Sequence, residues 1–493
     1  MSKSVSLQNF AKHSSIYALG SIINRLGAFI LLPVYTNYLT TTQYGVLELL
    51  YVTASLLTSF LGMSFSHACL RFYFEYDEAD KRKQVIGTTL ISSFVITGVG
   101  VVSLIPFVGD MSEFLFDTLE YQDLFYFTFL IFVLSMSNEI CYAYFRAKEY
   151  SLKFIVSSTL QFIIQVATNI YTVVFLDMGI QGVLIGNLLA TITIWIYLAT
   201  ITVKENRLTV NGEILKGIML YTYPFILSSI AVVISANVDK YIIKSSISLG
   251  AVGIFALSQK FSMLLEELFS GPFKKNFSPF RFSIMKRDDV GHLLSKLLNY
   301  YAMGLAFFAL SISFFVPDIL RVMSSEEFWP AAAIVPILLF ALVFEGIGYV
   351  FQTGIMYSKK TRYFMYIRVS SAILLILANV ILIPLWNVEG AAISRVLIGV
   401  FAAVLTLYYS QRVHQISFEF KALFKVIFIL LFVYFAFYIV PVESWQWLIA
   451  IKISLLMFFV FLLRKSGALT SDDMKNIMDF LRNVVSKMGF IRK

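Results

Sequence analysis

Ile180-Gln181-Gly182-Val183-Leu184-Ile185 opens a run that continues without a charged residue to Val203. An α-helix rises ~1.5 Å per residue, and about 20 apolar residues cover the ~30 Å of hydrocarbon in a bilayer. This run is therefore long enough to cross a membrane. Its apolarity is continuous rather than alternating, which excludes a barrel strand, and the cost of unpaired backbone groups in hydrocarbon leaves the helix. Working outward in both directions, comparable runs fall at roughly 14–35, 43–66, 85–106, 122–142, 154–176, 218–239, 250–270, 297–316, 331–353, 366–386, 390–409, 424–440 and 446–463. The expected fold is an all-α polytopic membrane protein with about fourteen transmembrane helices.

The opening hexapeptide has a counterpart in Val388-Glu389-Gly390-Ala391-Ala392-Ile393, with Gly182 and Gly390 separated by 208 residues. Tyr44-Gly45-Val46-Leu47 matches Val252-Gly253-Ile254-Phe255 at the same 208-residue offset, and Asn169 matches Asn379 at 210. Spans 1–6 and 7–12 thus read as two copies of one unit. Six spans return the chain to its starting side, so the copies share an orientation, and a pseudo-twofold axis along the membrane normal is expected between them. The domains expected are an N-lobe over 1–210, a C-lobe over 211–412, two extra spans over 413–465 and a cytoplasmic amphipathic helix over 466–493. In that last segment Met474, Ile477, Met478, Leu481, Val484, Val485 and Met488 recur at three- and four-residue steps, behind a Ser471-Asp472-Asp473 cap. It suits the anionic inner leaflet.

Composition agrees with the bilayer as solvent: of 493 residues, 58% are hydrophobic and 14% charged, with a mean hydropathy of +0.79. One soluble core cannot hide that much apolar surface. The formal net charge of +9 does not indicate nucleic acid, because the basic residues lie in short connections and not on a polar face. Instead, 32 of the 39 Lys and Arg residues fall on the side that carries both termini, against Lys240, Lys244 and Arg321 on the other. That bias predicts cytoplasmic N- and C-termini. The opposite side is acidic, with Asp110, Glu113, Asp117 and Glu120 in one connection. The first apolar run is too long for a signal-peptide core and lacks a small-residue cleavage site, so it is expected to be retained. Two cysteines, Cys69 and Cys141, imply no disulfide framework.

Soluble-enzyme motifs are missing from the sequence: it contains no Gly-Lys pair, hence no P-loop, and no glycine-rich dinucleotide loop. His13, His67, His292 and His414 are scattered, without metal-ligand spacing. No enzymatic activity, cofactor or metal is expected. The chemistry instead lies in ionisable groups inside spans: Arg25, Glu48, Glu139, Lys260, Glu266, Glu267, Glu345, Arg395 and Lys452. A central charge costs about 2.5–3.5 kcal/mol on insertion scales, so each is expected to face a partner or a wet cavity. Arg25 and Lys260 lie nearest mid-membrane. Both admit two readings, an ion pair that fixes packing (for Arg25, with Glu139 or Glu48) or a cavity cation that attracts an anionic headgroup. Glu48, Glu139 and Glu345 are candidates for coupling to H+ or Na+ or for pairing with cations. Pro33, Pro224 and Pro336 mark places where a helix can bend, Pro33 and Pro224 as candidate hinges.

With these features in place, the chain resembles the Wzx-type O-antigen and capsular polysaccharide flippases, within the superfamily that includes multidrug and toxic compound extruders and the lipid II flippase. The resemblance rests on Ala18-Leu19-Gly20-Ser21 through Leu31-Leu32-Pro33-Val34-Tyr35-Thr36, Tyr44-Gly45, Arg146-Ala147-Lys148, and Tyr223-Pro224 through Asp239-Lys240-Tyr241 to Val252-Gly253-Ile254-Phe255. It implies a MATE-like fold in the bacterial cytoplasmic (inner) membrane. The implied activity is a flippase that carries undecaprenyl-diphosphate-linked oligosaccharide from the inner to the outer leaflet by alternating access. By resemblance, Arg25 and Lys260 match cavity-lining cations, and the implied partners are membrane lipids, a polysaccharide polymerase and glycosyltransferases. Glu48 stands where the lipid II branch has arginine, a departure that argues against that branch. The alternative is a cation-coupled multidrug exporter, which usually has twelve helices and an acidic cavity.

Overall fold

The computed structural model describes residues 29–62, 64–439 and 445–469. Arg25, the first predicted span up to residue 28 and the amphipathic segment from residue 470 lie outside the described residues. Among the described residues every regular element is a helix. The chain divides into two compact units, residues 1–256 with 323–328, and residues 257–322 with 329–493.

The first unit contains α1 (Leu32–Tyr38), α2 (Thr41–Phe60), α3 (Phe65–Glu75), α4 (Ala79–Leu104), α5 (Val108–Phe116), α6 (Gln122–Ala147), α7 (Ser151–Ile170), α8 (Gly179–Glu205), α9 (Gly212–Ser246) and the start of α10 (Leu249–Leu265). The second holds the rest of α10, then α11 (Gly271–Ile284), α12 (Val290–Met323), α13 (Ala331–Phe351), α14 (Thr353–Tyr357), α15 (Arg362–Val413), α16 (Phe420–Ile439) and α17 (Trp445–Lys465). Polar turns set the helix starts. At α2 the Thr40 hydroxyl accepts from the Gln43 amide at 3.2 Å while the Gln43 side chain accepts from the Thr40 amide at 3.1 Å, a capping box. At α9 the Asn211 carboxamide oxygen accepts from the amides of Glu213 and Ile214. In the first unit α8 packs along both α6 and α7, and in the second α13 packs along α15.

Eleven helical stretches among the described residues are long and apolar enough to cross a membrane. The longest, Arg362–Val413, is two helices meeting at Trp386 and Asn387, between the predicted runs 366–386 and 390–409. α17 adds a further 21-residue helix. The predicted count of fourteen also depends on residues 14–28, which are not described.

Backbone geometry follows the 208-residue repeat. Gly179 and Asn387 are equivalent by that offset and share φ values of +52° and +51°. Glycine and asparagine are residue types that enter the left-handed region readily, so each copy turns between two helices at the same point. Gly45 and Gly253 are equivalent too, and they meet. A Cβ on Gly45 would overlap the Leu249 carbonyl, and one on Gly253 would overlap the Thr41 carbonyl. Thr41 and Leu249 are themselves 208 apart, so the contact is reciprocal: each glycine lies against the carbonyl of the other's neighbour four residues upstream. A local twofold relation between the starts of α2 and α10 produces this pattern.

Two connections differ from expectation. The stretch Gly271 to Lys296, the connection between the apolar runs 250–270 and 297–316, begins as α11, which buries Phe277, Arg281 and Ile284. α9 runs to Ser246, past the expected end at 239, so Lys240 and Lys244 are helical residues and not loop residues. The Lys244 ammonium bonds the Asp117 carboxylate at 2.8 Å, tying the end of α9 to the acidic segment around α5.

Candidate functional site

Of the two predicted cavity cations, Arg25 is not described, and Lys260 is partly buried on α10. Glu48 is buried on α2, and the ammonium of Lys240 on α9 donates to its carboxylate at 3.0 Å. Both side chains are almost completely withdrawn from the surface, at 7% and 8% exposure. The cation facing Glu48 is thus a residue first placed in a loop. Glu345 is exposed on α13, one helical turn before Tyr349. Pro33 occupies the first turn of α1 just after a bend at Leu31, whereas α9 continues through Pro224 and α13 through Pro336.

A chain of amides ties the first unit together at membrane depth. Tyr35 on α1 donates to Asn169 on α7 at 3.2 Å, Asn169 donates to Asn187 on α8 at 3.0 Å, and Gln165 donates to the same oxygen at 2.8 Å. Asn187 in turn donates to the Tyr51 hydroxyl on α2 at 3.1 Å. Hydrocarbon offers no water to satisfy these groups, so their mutual bonding holds four helices in one register.

Gln165 also ends a cleft. Two helix faces converge on a space of about 280 Å³: Glu139, Tyr142 and Arg146 from α6, and Phe154, Ser158, Gln161, Phe162 and Gln165 from α7. Three- and four-residue spacing puts each set on one face. Glu139 is exposed in the cleft. The Arg146 guanidinium lies 6.0 Å from the Phe154 ring centre. Neither makes a salt bridge among the described residues. Beyond the Arg146 end, Tyr144 and Tyr150 donate to the Glu205 carboxylate at 2.6 and 3.2 Å, and Lys153 approaches it at 3.6 Å. Burial, reinforced by the Glu205 charge, pushes the Tyr150 phenol above its ordinary range. Sequence reading passed over Gln161 and Gln165 because it searched spans for ionisable groups alone. Two glutamines four residues apart in an apolar run were the available signal.

In the second unit, Lys274 pairs with Glu266 at 2.9 Å across the π-helical turn Glu266–Ser270. Arg281 is 2% exposed, donates to the Tyr349 hydroxyl at 3.2 Å, and lies 5.0–5.6 Å from the ring centres of Tyr349, Phe282 and Phe277. Lys452 on α17 is fully buried and pairs with Asp318 on α12. Among the described residues no cluster of His, Cys, Asp and Glu is arranged to hold a metal.

Residues 10–285 match the family described as polysaccharide biosynthesis protein. The chain belongs to this family. No curated protein sequence matches the chain. Solved structures do match in fold. A lipid II flippase MurJ in an inward closed conformation shares 14% identity at a TM-score of 0.72, over 90% of this chain and 97% of that one. An inward-facing multidrug resistance MATE family transporter of the MOP superfamily shares 14% identity at 0.63, over 79% and 94%. A MATE transporter of Vibrio cholerae shares 14% at 0.51, over 82% and 95%. This polysaccharide biosynthesis protein thus has the all-helical fold of MATE-like transporters, and it is a multi-pass membrane protein. The solved structures it resembles are of a lipid II flippase and of multidrug transporters.

Proposed function

We propose that the chain is a flippase that carries a polyprenyl-diphosphate-linked oligosaccharide, a repeat unit for O-antigen, capsule or exopolysaccharide, from the inner to the outer leaflet of the bacterial cytoplasmic membrane. The observation that carries this reading is the coincidence of a polysaccharide biosynthesis family with a fold used by a lipid II flippase. Polysaccharide assembly needs its lipid-linked units moved, and the chain has a transporter's architecture. The physical logic is that of alternating access: a hydrated, partly basic chamber takes the diphosphate and sugars while the polyprenyl tail stays in hydrocarbon. Arg25 and Lys260 supply the cations that bind the diphosphate. Pro33, just beyond the bend at Leu31, and Pro224 are the positions where helices flex as access changes. Glu139 and Glu345 are the candidate groups for coupling to H+ or Na+. Both termini are cytoplasmic, and polymerase and glycosyltransferases act on either side of the step.

Deleting the gene and measuring both surface glycan and the lipid-linked intermediate tests the proposal. A flippase predicts loss of surface glycan with the intermediate accumulating on the cytoplasmic face. Normal surface glycan with increased sensitivity to cationic drugs would instead indicate the multidrug exporter.

A further inference from the structure

The cleft between α6 and α7 has a chemistry that selects among ligands. Eleven residues separate Phe154 from Gln165 on the α7 wall, or about 16 Å at ~1.5 Å per residue. The space is therefore a trough and not a point site. Glu139 and Arg146 contribute one charge of each sign, two helical turns apart on α6, so the trough as a whole favours neither a cation nor a phosphate. A hydrocarbon chain is excluded as well, since it would strip water from Glu139, Gln161 and Gln165 and return no hydrogen bond. A neutral molecule that carries many hydroxyls on an apolar ring meets every wall.

The polar groups are available to such a ligand. Gln165 commits its Nε2 to Asn187 at 2.8 Å, which fixes the amide and leaves its oxygen as an acceptor. Gln161 accepts from the Tyr142 hydroxyl at 3.4 Å, which leaves its amide protons as donors. The Glu139 carboxyl oxygens can accept from hydroxyls. Phe162 offers flat apolar surface for the C–H face of a pyranose, while the Phe154 ring is packed against Tyr142 and Arg146. A carboxylate in an apolar span is costly, and a wet, ligand-filled trough relieves that cost.

We infer that the α6–α7 trough is a glycan subsite, in which Glu139, Gln161 and Gln165 hydrogen-bond sugar hydroxyls and Phe162 supports a ring face. This rests on the proposed function, which brings an oligosaccharide to the protein, and adds where its sugars bind.

Full-length protein in nanodiscs, titrated with two probes, tests it: the lipid-linked oligosaccharide pool extracted from the producing cell, and a polyprenyl diphosphate bearing no sugar. Glu139→Gln and Gln161→Ala are each expected to weaken binding of the lipid-linked pool about tenfold, the loss of one good hydrogen bond, while leaving the sugar-free lipid unchanged. Either variant binding the pool as wild type does, or losing the sugar-free lipid to the same extent, overturns the subsite and leaves the flippase reading intact. Wild-type protein that binds neither probe overturns the flippase reading itself. Elution position and melting temperature equal to wild type establish that both variants are folded.

Discussion

Replacing Lys240 by Met keeps the apolar stem of the side chain and removes only the ammonium that lies 3.0 Å from the Glu48 carboxylate. At that separation, Coulomb's law with an effective dielectric of about 20 gives about 5.5 kcal/mol. Removing one partner of a buried ion pair typically costs about 3–5 kcal/mol, because the remaining charge stays out of water. Replacing both partners by groups of similar size is often close to neutral. The expected order of thermal stability in detergent is therefore wild type and Glu48→Gln/Lys240→Met together, with Lys240→Met well below both. With about 2.1 cal/mol/K of unfolding entropy per residue, a 493-residue chain shifts by about 1 °C per kcal/mol, so the single variant should lose about 3–5 °C. A single variant that melts with wild type, or a double variant no better than the single, would refute the assignment of this pair as the clamp between α2 and α9.

Other substitutions test other parts of the account. Gly45→Val and Gly253→Val should each abolish accumulation of folded protein, because a side chain at either position overlaps a backbone carbonyl that cannot move independently; Gly98→Ala, with open space around it, should be neutral, and expression with gel filtration reads all three. Arg25→Ala and Lys260→Ala should each impair export of surface glycan while membrane accumulation stays at the wild-type level; normal surface glycan in both would remove them from the substrate path. Lys452→Met should lower the melting temperature through loss of its ion pair with Asp318, and by less than Lys240→Met, since the Asp318 side chain is 37% exposed and can recover hydration.

The helices themselves were readable because hydrophobic length is a local property: each run reports its own span. The turn at Asn387 and its equivalent at Gly179 were also within reach, since the offset between Gly182 and Gly390 predicts that whatever ends one copy's helix ends the other's. What escaped was pairing across the chain. Lys240 was assigned to a loop because the apolar run of α9 stops near residue 239, yet a helix with an ion partner on α2 continues past its last apolar residue. Arg281 falls in the connection between the apolar runs 250–270 and 297–316, among the basic Lys274, Lys275, Lys286 and Arg287, where nothing local marks it as buried; the helical period of α11 turns it inward onto Phe277 and Tyr349. The trough between α6 and α7 was invisible for the same reason. Glu139 was noted only as a partner for Arg25 or a coupling group, and only the packing of two helices shows that Gln161 and Gln165 face the same space.

Transport across a bilayer is the claim that everything else serves. Purified full-length protein reconstituted into liposomes, with lipid-linked oligosaccharide confined to the inner leaflet, permits its direct measurement by a membrane-impermeant glycosidase or lectin added outside. The account predicts that glycan becomes accessible over time in protein-containing vesicles and stays hidden in empty ones. Equal accessibility with and without the protein, under an imposed H+ or Na+ gradient as well as in its absence, would contradict it.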